Sequence, residues 1–72
     1  MSAVAPVVAL LVTRTPNGTC TVQYSGRDRD AVERDALAAW HSIDTWQRGP
    51  TPVLSELEPG LFAASVTRYS AE

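Results

Sequence analysis

Residues 28–48 read DRDAVERDALAAWHSIDTWQR, and whether this stretch forms one helix decides how the chain on either side of it can fold. At about 100° per residue, Val32, Ala36, Ala39, Ile43 and Trp46 fall on one face with Trp40 at its margin, while Arg34, His41, Thr45 and Arg48 fall opposite. A core-facing stripe with a solvated back is the signature of an amphipathic helix on a soluble core. Asp30, with Glu33 three residues on, suits a capping box, and Ser25 and Asp28 are rival caps. At the far end Arg48 suits the last turn, Gly49 suits a left-handed cap and Pro50 cannot continue a helix. The pairs Asp30–Arg34 and Asp44–Arg48 are acid-first at a spacing of four, a pattern worth about 0.3 kcal/mol each. Leu37 is the one large apolar residue outside the stripe and is a candidate contact point for a partner.

Upstream of the helix, residues 7–15 and 19–25 are rich in valine and threonine and flank Pro16-Asn17-Gly18, a hairpin signal. A three-residue loop with Gly18 left-handed sets Thr15 against Thr19, Arg14 against Cys20, Val12 against Val22 and Leu10 against Tyr24. A two-residue loop would set Val12 against Gln23, so alternation favours the longer loop. In that register Val8, Leu10, Val12, Cys20, Val22 and Tyr24 face the helix. Val7, Ala9, Leu11, Thr13, Thr21, Gln23 and Ser25 form the far face.

Downstream, Gly49-Pro50-Thr51-Pro52 is a stiff extended connector. Residues 53–58 suit a short strand or a helical turn, Pro59-Gly60 suits a turn, and residues 61–69 alternate as a strand with Phe62, Ala64 and Val66 toward the helix. The expected fold is α+β, one small domain over residues 1–72: a small antiparallel sheet of three to four strands in the order strand, strand, helix, optional strand, strand. One amphipathic helix packs on one face.

Composition narrows the functional classes. With 72 residues a chain buries only about 60% of its unfolded surface, which leaves a thin stability margin. Cys20 is the only cysteine, so no intrachain disulfide adds to that margin, and oligomerisation is the remaining supplement. The net charge of −2, with arginines but no lysine, gives no basic patch for a nucleic-acid backbone. Residues 3–12 are apolar but lack a basic flank, contain Pro6 and are too short to span a bilayer. A cytoplasmic location without membrane contact is expected.

No residue set points to catalysis or a cofactor. His41 with Asp44 three residues on is too small a set for a metal site, and the solvated helix face is the simpler account. Cys20 beside Arg14 has the elements of a cation-activated thiolate but more simply fills space as a small hydrophobe. Tyr24, Phe62 and Tyr69 lack the positive charge that backs a base-stacking platform. The Asn17-Gly18-Thr19 sequon sits in a tight turn. No catalytic, cofactor-binding or metal-binding residue is assigned.

The expected function is therefore non-enzymatic: protein–protein contact as a homodimer, or as an accessory subunit of an unknown partner. The expected surface comprises Val7, Ala9, Leu11, Thr13, Thr21, Ser65 and Thr67 on the far sheet face, with Leu37 on the helix back. The other reading is an inhibitor of a nucleic-acid-processing enzyme whose acidic surface is Asp28, Asp30, Glu33, Asp35 and Asp44, weakened by the arginines interleaved with it.

Overall fold

A computed structural model of the chain describes residues 6–70. Its elements are β1 (Val8–Arg14), β2 (Cys20–Gly26), α1 (Arg29–His41), β3 (Ser55–Glu58) and β4 (Leu61–Arg68). The strands form one antiparallel sheet in the order β1-β2-β4-β3. This is the expected α+β fold, and residues 53–58 resolve as a connector end followed by strand β3. α1 lies across β4 and β2 and reaches neither β1 nor β3.

The core is small because its central residues are small. Val32 and Ala36 of α1 are buried against Ala64 and Val66 of β4, with Tyr24, Ala39, Trp40, Ile43, Leu54 and Phe62 packed around them. Val32 is the only large side chain fully withdrawn from solvent among the described residues. Val32, Ala36, Ala39 and Ile43 of the helix stripe and the inward phase of β4 therefore match the pattern in the sequence.

The helix is shorter than its pattern implies. It ends at His41, and the backbone N–H of Ser42 donates to the carbonyls of Ala38 and Ala39. Ser42, Ile43, Asp44 and Thr45 are β-branched or compete for backbone hydrogen bonds, so propensity fails there together. Arg48 then folds back, its guanidinium donating to the carbonyls of His41 (3.2 Å) and Ile43 (2.9 Å) and lying 4.5 Å from the Trp40 ring centroid. The free carbonyls at the helix end are satisfied by a residue that periodicity alone assigns to a further helical turn. Trp46, expected on the core stripe, is instead 69% exposed in the turn that follows. At the start Asp28 prevails over Asp30 as the cap, its carboxylate accepting from the Ala31 N–H at 3.2 Å. Neither expected acid-first pair forms; Arg34 turns to its neighbour Asp35 at 3.6 Å.

Gly49 has a different task from the expected left-handed cap. Its N–H donates to Thr67 O (3.0 Å) while Tyr69 N–H donates to Gln47 O (2.8 Å), so residues 47–49 run alongside the end of β4. A Cβ on Gly49 would stand 2.8 Å from Thr67 O, so glycine is needed for close approach of two backbones. Left-handed glycines occur at Gly18 and at Gly60, in the turn between β3 and β4.

The β1–β2 hairpin closes as expected and then departs from its expected register. Thr15 N–H donates to Thr19 O (2.8 Å), Gly18 N–H to Thr15 O (3.0 Å), and Arg14 pairs with Cys20. Between Leu11 and Thr13 the ladder shifts, leaving Val12 as the extra residue of a bulge. Beyond it Leu11, not Val12, faces Val22, and Ala9, not Leu10, faces Tyr24. Every earlier residue of β1 thereby changes face. Val7 packs against the core, while Val8 and Leu10 lie opposite Ser25 and Gln23 on the other side. The run VALLV is apolar in both phases, so alternation exerts no preference between them.

Candidate functional site

The far face of the sheet is assembled from all four strands. Thr13 is opposite Thr21, and Thr21 is opposite Thr67. The hydroxyls of Thr21 and Thr67 lie 3.0 Å apart, so each meets part of the other's hydrogen-bonding need before anything covers them. Ser65 is opposite Gln23 on the same face. Thr13, Thr21, Ser65 and Thr67 are thus brought together where the sequence placed them.

Val7, Ala9 and Leu11 are not on this face. The bulge at Val12 turns them to the helix side and sends Val8 and Leu10 outward in their place. Leu37 is half-buried, so the isolated exposed leucine of the helix back is also corrected. Val8, Leu10, Val12, Val53 and Leu57 are each more than half exposed.

Between the two rims of the far face lies an open trough of about 440 Å³. Val12 stands on one side and Pro50, Val53 and Leu57 on the other, over a floor that includes Gln23, Ala63, Ser65 and Thr67. No charged residue lines it. Small floor residues and large rim residues make the concavity.

The helix side carries a second cleft, of about 320 Å³, between the end of α1 and strands β2 and β4. Its lining includes Cys20, Val22 and Tyr24 of β2, Ala39 and Ile43 from the helix and the turn after it, and Val66 and Arg68 of β4. Register sets Arg14, Cys20 and Arg68 side by side across β1, β2 and β4, and Arg48 bridges to Arg68. The only ion pairs among the described residues are Arg27–Glu58 (3.7 Å) and Arg34–Asp35 (3.6 Å), so neither Arg14 nor Arg68 has an acidic partner there. The Arg14–Cys20 neighbourhood was legible from the hairpin. The addition of Arg68 and Arg48 depends on pairing between distant segments, for which the sequence carries no local signal.

His41 stands edge-on to Trp40, with ring centroids 4.9 Å apart. Trp40 itself donates from Nε1 to Gly49 O at 2.9 Å. Trp40 thereby fastens the helix end to the segment docked on β4. Of the acidic surface, Asp28 is engaged as the helix cap and Asp35 with Arg34. No group of three or more His, Cys, Asp or Glu residues suited to a metal occurs among the described residues. No described helix is long and apolar enough to cross a membrane. No family model, curated protein or solved structure matches the chain.

Proposed function

We propose that this chain is a non-enzymatic protein-contact module that works as a homodimer, two copies packing their far sheet faces together. The observation that carries the reading is the uncharged, ridged far face. Val8, Leu10 and Val12 form a ridge along β1, and beside it runs a trough floored by small residues. Under a two-fold axis the ridge of each copy seats in the trough of the other, the self-complementarity that an isologous interface requires. Absence of charge lets a second copy approach with no buried unpaired ion. The Thr21–Thr67 hydroxyl pair lowers the cost of covering the polar part of the floor. A standard interface takes about 800 Å² from each partner, roughly a sixth of this chain's 4970 Å² surface, an area within the reach of one sheet face. The same covering adds to a core whose buried centre is two alanines and two valines. The reading is of an intracellular protein, which the single thiol of Cys20 suits.

Light scattering over a wide concentration range tests this directly. The wild-type mass should be twice the 7.8 kDa of one chain. Leu10→Arg with Val12→Arg should reduce it to one chain, weakening association at least about a hundredfold, about 2.7 kcal/mol. Leu11→Arg, on the opposite face, should leave the mass at two. A wild-type chain that stays single throughout, or a dimer indifferent to the charges at Leu10 and Val12, ends the proposal. No observation favours the acidic-inhibitor reading over this one.

A further inference from the structure

We infer that the helix-side cleft is a binding site for a small amphipathic carboxylate, its anionic head between Arg14 and Arg68 and its apolar tail along Val22 and Tyr24. The site lies on the face opposite the proposed dimer contact and does not depend on it.

Three observations converge. First, Arg68 lines one end of the cleft beside Cys20, and the register places Arg14 of β1 on the other side of Cys20; neither arginine has an acidic partner among the described residues. Paired arginines suit a carboxylate because their N–H groups bind both of its oxygens in charge-assisted hydrogen bonds. Second, the cleft leading from that end is apolar, with Val22, Val66, Ala39 and Ile43 among its lining, and its volume of about 320 Å³ lies within the usual range for small-molecule sites. Third, the nearby helix C-terminus, whose carbonyls would repel an anion, is already neutralised: Arg48 donates to His41 O and Ile43 O. Arg48 is thus committed to the helix end, and Arg14 and Arg68 remain to receive the head group.

Leu11 and Ala9 lie opposite Val22 and Tyr24 on β1, beyond the lining of the cleft and uncovered by α1. This accounts for a large exposed leucine on the helix side of the sheet. A tail lying there removes apolar surface from water on both sides of the contact.

The test is a titration of the full chain with decanoate below its self-association limit, followed by amide NMR. Acetate, decanol and phosphatidylglycerol vesicles serve as comparisons. Saturable binding of decanoate is expected, with shifts at Cys20, Val22, Tyr24, Ile43 and Val66 and none at Ser65 or Thr67. Decanol, which lacks the charge, and acetate, which lacks the tail, should each bind at least about tenfold more weakly. Arg14→Gln with Arg68→Gln should weaken decanoate at least about tenfold while leaving decanol unchanged. If that double variant fails to melt cooperatively, Arg14→Gln alone, on the exposed edge strand, carries the same comparison. Equal binding of decanol, shifts on the far face, an unaltered affinity in the variant, binding to vesicles without binding to decanoate, or no saturation would each overturn the assignment.

Discussion

β1 and β3 are both edge strands, each paired along one side only, but they meet solvent differently. β1 runs seven residues with Val8, Leu10, Leu11 and Val12 all more than half exposed. β3 runs four, carries Glu56 and Glu58, and has its own register shift between them. Short length, like charge and a bulge are the standard means of preventing an edge from pairing with another chain. The β3 side has all three, whereas β1 has only the bulge at Val12. The difference teaches where strand pairing is admitted: the β3 edge is closed by charge, shortness and a bulge, and the β1 edge is left apolar. The closed side is also fastened from within, since residues 47–49 hydrogen-bond to the end of β4 and Trp40 and Arg48 tie them to the helix.

The largest effect should come from breaking the fastened side. Gly49→Ala places a methyl 2.8 Å from Thr67 O, so residues 47–49 must move off β4. A loss of about 2 kcal/mol is expected, in the range for overpacked sites, read as a lower urea midpoint with little change in slope. If the midpoint does not fall, the close approach is not part of what holds that edge.

Removing the charge should sharpen the comparison further. Glu56→Val with Glu58→Val takes both carboxylates from β3, together with the exposed Arg27–Glu58 pair and the acceptor for Gly60 N–H. With both edges apolar, mass should climb past two chains as concentration rises, an added association of about tenfold or about 1.4 kcal/mol. A mass still held at two chains would show that charge is not what guards β3.

The smallest effect expected is that of Trp40→Phe. It removes the donor to Gly49 O and weakens the stack beneath Arg48 while retaining an aromatic ring. A loss of about 1 kcal/mol is expected, the net value of one hydrogen bond, measurable as a shift in thermal midpoint. No loss at all would place the fastening of residues 47–49 in their backbone bonds alone.

Much of the architecture was legible because its signals are local. The stripe Val32, Ala36, Ala39 and Ile43, the Asn17-Gly18 turn and the Phe62, Ala64, Val66 alternation each specify one element and the face it buries. Half of the candidate surface was legible too, since Thr13, Thr21, Ser65 and Thr67 lie together as expected. Val7, Ala9 and Leu11 were misplaced by a single extra residue, Val12, because a strand apolar in both phases tolerates either register. The helix end was misplaced for a related reason. Periodicity continues through Ile43 and Trp46, and only the return of Arg48 to the His41 and Ile43 carbonyls shows that the chain has already turned.

From its sequence alone, then, the chain had determined its class, its element order, the buried helix stripe and the lack of charge on the sheet's far side, because these depend on residues close together along the chain. Tertiary structure decided the bulge at Val12, the docking of residues 47–49 on β4 and the alignment of Arg14, Cys20 and Arg68. Each of these rests on which of several nearly equivalent backbone pairings leaves the fewest hydrogen bonds unmet. That balance exists only once segments distant in sequence are in contact.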